Sequence, residues 1–367
     1  MPIVRHSHDP ALRDVLSYHR PATWIESFAS MDWAVEATLE HLQVSGWGDG
    51  SGNALDNVIT GDYGNNRLWG MDGDDVLDGQ GGRDGLTGGR GDDTSVVDDP
   101  GDWIVELAGE GIDTVKASTD YTLSEGLENL SFLYSHGFTG NGNAADNVMT
   151  GNSGGNTLNG LGGNDTLDGG GGWDRLVGGD GSDTYLMGSG YGADTIVETQ
   201  SQAGDHDVAR FSGISHDRLW LTRANGSNDL SIKVLGGQDT LIIENWFLGD
   251  QYRVETIEAD GMLLQASEVQ ALFSAMQQLG KSNGDMLTTA ERQVLQPALE
   301  AAWRPSTGKT TVPGTEHGEL NSLVAAMSSF GMKASPLPLL DGVSSVPLLI
   351  QGGAIGRSSA YAMEAAV

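Results

Sequence analysis

Six aspartates, Asp75, Asp84, Asp93, Asp165, Asp174 and Asp183, recur at nine-residue intervals in two runs, with Asn66 and Asn156 in the same frame just ahead of them. Two residues before each aspartate stands a glycine, Gly73, Gly82, Gly91, Gly163, Gly172 or Gly181. The side chains offer carboxylate oxygen, and glycine backbone, free to bend, offers carbonyl oxygen. Both are hard donors. The chain has no cysteine and neither run contains a histidine, so thiolate and imidazole chemistry is excluded there.

The elements that position these residues follow from the period, which is nine residues throughout. First-place glycines occupy 52, 61, 70, 79 and 88 in one block and 142, 151, 160, 169 and 178 in the other. Leu55 and Ala145 replace the fourth-place glycine in the opening nonapeptide of each block. Leu68, Leu77 and Leu86 fill the eighth place in the first block before Ser95 breaks the column; Met149, Leu158, Leu167, Leu176 and Tyr185 fill it in the second. Each nonapeptide reads as a glycine turn followed by a very short strand. Two make one coil, and stacked coils bury the leucines between two parallel sheets. Turns on one edge then lie two nonapeptides apart, which brings Asp75 beside Asp93 and Asp165 beside Asp183. Like charges at about 4 Å repel by about 4 kcal/mol at an effective dielectric near 20. A cation must offset that. Flexible oxygen donors numbering roughly six to eight suit Ca²⁺ better than octahedral Mg²⁺.

The motifs Gly88-Gly89-Arg90-Gly91-Asp92-Asp93-Thr94 and Gly178-Gly179-Asp180-Gly181-Ser182-Asp183-Thr184-Tyr185 resemble the nonapeptide of RTX calcium-binding proteins. The resemblance implies a mainly β chain, a parallel β-roll (β-solenoid) with a C-terminal β cap and a few short helices, holding several Ca²⁺ ions. The six aspartates are the expected side-chain ligands, Asn66 and Asn156 are neutral counterparts, and the six fourth-place glycines supply carbonyls. A flexible Gly/Asp linker does not hold a nine-residue frame.

Around the blocks, six segments are expected. Residues 1–23 hold an N-terminal capping helix opened by Asp9-Pro10. Residues 24–96 and 97–186 each combine a spacer with a block, and Leu39-Glu40-His41-Leu42 precedes the first much as Leu127-Glu128-Asn129-Leu130 precedes the second. Within the second spacer, Asp102–Glu106 and Asp113–Lys116 read as strands. Residues 187–266 resemble the C-terminal β-domain of haemolysin-type proteins, with Trp246 and Phe247 as core. Residues 267–330 are helical, with capping boxes Ser267/Gln270 and Thr288/Glu291 and a third helix across Leu320 to Phe330. Residues 331–367 resemble the flexible C-terminal secretion signal of RTX proteins.

The 51 acidic and 19 basic residues give a net charge of −32, which repels nucleic acid and anionic membranes. Met1–Arg20 lacks the apolar core of a signal peptide and no run is long enough to span a membrane. The resemblance therefore implies a secreted, extracellular protein of a Gram-negative bacterium, exported by a type I ABC exporter without an N-terminal signal peptide. No catalytic module is recognised. Gly151-Asn152-Ser153-Gly154-Gly155 spells G-x-S-x-G, but in repeat frame, and Asp99-Pro100 reads as turn chemistry. Two further readings stay open: an adhesin or matrix protein that binds extracellular polysaccharide or a cell surface, and an enzyme acting on polysaccharide.

Overall fold

The structure is a computed structural model that describes residues 24–26, 33–34, 40–45, 48–198, 204–280, 287–306, 333–335 and 349–351. The expected helices over 1–23 and 320–330, and most of the tail after 331, lie outside the described residues. The strands Lys333–Ser335 and Leu349–Gln351 pair antiparallel.

Eighteen residues make one coil. Ile59 lies opposite Leu77, Leu68 opposite Leu86, Met149 opposite Leu167 and Leu158 opposite Leu176, all in parallel register. Strands three to six residues long, such as Val76–Asp78 and Arg67–Asp72, alternate between two facing sheets. Side chains at every second residue turn inward, so the eighth-place residues form buried columns, each of them 0% exposed from Leu68 to Leu86 and from Met149 to Tyr185. Fully burying one leucine contributes roughly 1.5–3 kcal/mol.

The roll does not stop at the blocks. Strands Thr114–Ala117 and Asn129–Phe132 carry one sheet through the spacer, aligning Ser95, Val115, Leu130 and Met149. Beyond the second block, Tyr185 aligns with Ala209 and Ala209 with Ile257 in the same sheet. The opposite face is divided, one part ending at Trp103–Ile104 and the other starting at Tyr121–Thr122.

The C-terminal end closes the roll with antiparallel strands. Thr240–Ile243 joins the parallel sheet, and Leu230–Val234 and Leu219–Thr222 then add antiparallel to it. Helix α1 (Ala266–Gln278) buries Val269, Leu272, Phe273 and Met276, and helix α2 (Thr289–Ala302) buries Leu295 and Leu299. Trp246 is buried and Phe247 packs against Phe273 with ring centroids 5.6 Å apart. A solenoid needs such a cover, since an open coil exposes its apolar column. The box at Thr288/Glu291 forms, but that at Ser267/Gln270 does not. Strand Met262–Gln265 runs straight into α1, and the Ala266 N–H bonds Glu255 carbonyl at 2.8 Å, so the sheet supplies an acceptor at the helix start and Ser267 lies inside the helix.

Where the second place of a nonapeptide is left-handed, a residue other than glycine carries a backbone cost. Gly89 and Gly179 have φ of +108° and +114°, and Leu161, 54% exposed, is held at +79° in the same place. A left-handed non-glycine residue costs about 1–2 kcal/mol, and glycine loses about 0.5–1 kcal/mol in extra chain entropy. Leu161→Gly is therefore expected to raise the melting temperature in Ca²⁺, by up to about 1 kcal/mol of stability; a clear fall in the melting temperature contradicts this account.

Candidate metal centre

Each sixth-place aspartate sits where a turn enters a strand, and its two oxygens have different surroundings. Oδ1 accepts a hydrogen bond from the backbone N–H of the sixth-place residue one coil earlier. Asn57 donates to Asp75 at 2.6 Å, Asn66 to Asp84 at 2.7 Å and Asp75 to Asp93 at 2.7 Å. In the second block Asn147 donates to Asp165, Asn156 to Asp174 and Asp165 to Asp183 at 2.7–2.8 Å. These bonds tie every coil to the next along both edges of the roll.

Oδ2 of all six aspartates is buried and accepts no hydrogen bond, and the same holds for Asp113. That oxygen lies over the first-place glycine of its own nonapeptide. A Cβ on Gly70, Gly88, Gly160 or Gly178 would sit 2.0–2.2 Å from it, so only glycine admits the carboxylate. The fourth-place glycines Gly73, Gly82, Gly91, Gly163, Gly172 and Gly181 all have φ between +104° and +136°. Their turns stack closely: a Cβ on Gly91 would lie 2.1 Å from the Gly73 carbonyl oxygen, and one on Gly181 1.9 Å from that of Gly163.

Burial raises the carboxyls, against the pull of the backbone donors, and neighbouring carboxylates raise them further. Asp75, Asp84 and Asp165 reach about 7, and Asp93 and Asp183 about 6. Burial likewise pushes Asp174 and its neighbour Asp194 up. Buried anions of this kind need a paired cation. None of the ion pairs among the described residues involves a sixth-place aspartate. The donor set is all oxygen, partly buried away from water and short of positive charge, which fits Ca²⁺.

The asparagine turns are built differently. Asn66 Oδ1 accepts from Asp62 N–H at 3.0 Å while its Nδ2 donates to Gly48 carbonyl at 2.6 Å; Asn156 accepts from Asn152 N–H at 2.9 Å and donates to His136 carbonyl at 3.4 Å. Gly64 and Gly154 in these turns are not among the left-handed glycines. The amide thus satisfies itself within the protein where the carboxylate leaves one oxygen over.

The carboxylate ladder extends past the repeats, first to Asp102, one further period after Asp93, and then to residues that the nine-residue frame does not reach. Asp102 accepts from Asp84 N–H at 2.8 Å, Asp113 from Asp93 at 2.9 Å, Glu128 from Asp113 at 2.8 Å, Asp194 from Asp174 at 3.1 Å and Asp207 from Asp183 at 2.8 Å. Glu255 takes the next rung, from Asp207 N–H at 2.8 Å. A local signal was present for two of them: Asp113-Thr114 and Asp194-Thr195 repeat the Asp-Thr pair that opens the strands at 93, 165 and 183. Steps of fifteen residues to Glu128, twenty-four to Asp207 and forty-eight to Glu255 hide these three from a strict period.

Ser153 lies on an exposed turn between strands Val148–Asn152 and Thr157–Gly162, with no helix after it, so the G-x-S-x-G run is not a nucleophile elbow. Asp99-Pro100 occupies a turn closed by the Asp102 N–H to Asp99 carbonyl bond at 3.0 Å.

Comparison with known proteins bears on the same residues. The family described as RTX calcium-binding nonapeptide repeat matches residues 51–86, 60–95 and 150–185, and the family described as haemolysin-type calcium binding protein related domain matches 229–266. Among solved structures, the extracellular lipase LipA from Serratia marcescens is similar at 18% identity and a TM-score of 0.23, over 61% of this chain and 40% of that one. The chain thus spans less than half of that lipase. Taken with the nine-residue frame and the buried carboxylate ladder, the matches show that this chain carries RTX calcium-binding nonapeptide repeats and a haemolysin-type calcium binding protein related domain, and the ion its repeats bind is Ca²⁺.

Proposed function

We propose that this is a non-catalytic protein exported to the outside of a Gram-negative cell, where Ca²⁺ completes its folding. The single observation that carries this reading is the row of buried Oδ2 atoms without a hydrogen bond, on all six sixth-place aspartates. Asp75, Asp84, Asp93, Asp165, Asp174 and Asp183 supply the carboxylates, and Gly73, Gly82, Gly91, Gly163, Gly172 and Gly181 the carbonyls. Asn66 and Asn156 serve as hydrogen-bonded turns that begin each row. Inside a cell, where free Ca²⁺ is scarce, repulsion along the ladder and glycine entropy keep the coils loose enough for a type I ABC exporter. Outside, an ion that binds only the folded state stabilises it by about 2.7 kcal/mol per site at a hundredfold excess over its dissociation constant. No described helix is long and apolar enough to cross a membrane. Far-UV circular dichroism of the full chain is expected to change from coil in chelator to β-structure in millimolar Ca²⁺; identical spectra would defeat the proposal.

A second reading, binding of extracellular polysaccharide, draws on Tyr63, Tyr134 and Trp173. They are 90%, 72% and 81% exposed, on turns that lead from one sheet to the other, and such rings stack on sugars. Retention on glycan resins that is lost in the triple alanine variant, with the Ca²⁺ response unchanged, separates this activity from plain ion binding.

A further inference from the structure

The last coil of the first block ends in a group of three carboxylates, two of which lie outside the repeat. Asp93 belongs to the block, Glu106 follows strand Trp103–Ile104, and Asp113 precedes strand Thr114–Ala117. One oxygen from each lies within 4.8 Å of the others, the one such grouping among the described residues. All three are buried, Asp93 and Asp113 at 2% exposure and Glu106 at 8%. Glu106 is held in place by the N–H groups of Gly88 and Gly89, at 2.6 and 3.1 Å. Oδ2 of Asp93 and Oδ2 of Asp113 accept no hydrogen bond. Thus three buried carboxylates converge, two of them each with an oxygen that accepts no hydrogen bond and the third fixed by backbone donors, with no ion pair to any of them among the described residues.

The second block ends in the same three residue types, Asp183, Glu198 and Asp207, yet they do not form such a group. The difference traces to one column position. Where the first block has Ser95, the second has Tyr185, whose hydroxyl accepts from Gly178 N–H at 3.0 Å and donates to Glu198 Oε1 at 2.5 Å. Gly178 corresponds to Gly88, so the phenol stands between the glycine donor and the glutamate that in the first block meet directly. Glu198 is thereby engaged by a neutral donor. Ser95 is too short to reach, and Glu106 is left to face the aspartates.

We propose that Asp93, Glu106 and Asp113 form an additional Ca²⁺ site, closing the first block from the spacer side, and that the second block lacks its counterpart because the Tyr185 hydroxyl takes its place. Three carboxylates and no nitrogen or sulfur donor select a hard divalent cation, and the roomy oxygen-only setting favours Ca²⁺ over Mg²⁺. The two ends of the duplicated roll then differ in ion demand: one is closed by metal, the other by a tyrosine–glutamate hydrogen bond.

The proposal rests on the reading that the repeats bind Ca²⁺, and the test separates the two. Bound Ca²⁺ is counted on the full chain by equilibrium dialysis at saturating Ca²⁺, with circular dichroism as the folding control. E106Q is expected to bind one ion fewer than the wild type while the β-spectrum is kept, and E198Q to bind the same number as the wild type. Should E106Q fail to fold, S95Y, which introduces the phenol that the second block already accommodates, is expected to fold and to lose one ion. Equal counts in wild type and in whichever of E106Q and S95Y folds, or the loss of an ion in E198Q as well, overturn the site. A wild type that binds no Ca²⁺ at all overturns the repeat reading instead.

Discussion

Stripped of metal, the protein is expected to gain β-structure as the pH falls from 8 to about 5, and to lose it as the pH rises again. The folded-state carboxyls of Asp75, Asp84 and Asp165 stand at about 7, and those of Asp93, Asp113 and Asp183 at about 6. In an unfolded chain an aspartate titrates near 3.9. The folded state therefore binds more protons than the unfolded state between roughly pH 4 and 7, and stability falls as pH rises through that window. Each unit of difference corresponds to about 1.4 kcal/mol, so a handful of such groups spans the roughly 5–15 kcal/mol net stability of a domain. Calcium reverses the sign, because it competes with protons for the same oxygens and binds the ionised form. Thermal melts of metal-stripped protein at pH 5 and pH 8, with and without Ca²⁺, check this. A metal-free melting temperature that is flat or rises with pH excludes the carboxylate ladder as the source of instability.

The second large effect is steric. Gly181→Ala is expected to prevent the second block from folding at any Ca²⁺ concentration that suffices for the wild type. Gly181 has φ +123°, and a Cβ there would lie 1.9 Å from the carbonyl oxygen of Gly163, which is itself fixed in the stacked turn. The clash is with backbone, so no rotamer relieves it, and the combined strain and overpacking cost roughly 3 kcal/mol or more. Gly190→Ala is the control. Gly190 also has positive φ, +85°, but nothing lies within 4 Å of its added Cβ, so only the left-handed penalty of about 1–2 kcal/mol applies. The Ca²⁺ midpoint of folding, followed by circular dichroism, is expected to move far more for the first variant than for the second; equal shifts would show that close stacking of turns is not what demands glycine.

Much of the roll was legible because its period is local. A nine-residue frame states where each turn begins, which residue points inward and which acid meets which one coil later, and Leu68 opposite Leu86 or Asp75 beside Asp93 follow by counting. Counting fails where coils change length. The step from Asp93 to Asp113 is twenty residues and from Asp183 to Asp207 twenty-four, so the ladder partners of the last coils could not be read from spacing. The Ser267 cap failed for a related reason: a helix start takes whichever acceptor lies nearest, and here the adjoining strand placed Glu255 carbonyl there first.

Residue type and period alone determined that short strands stack in parallel, that leucines fill the space between them, and that hard oxygen donors line the turns. Those properties depend on each residue's own chemistry and on neighbours at constant separation. The tertiary structure alone decided which oxygens remain without a donor, that amide turns complete their own hydrogen bonds while carboxylate turns do not, and that Glu106 and Glu198, alike in sequence setting, meet different partners. Such outcomes turn on ångström-scale placement of groups brought together from different coils, and a single side chain, serine in one coil and tyrosine in the other, changes which atom reaches first.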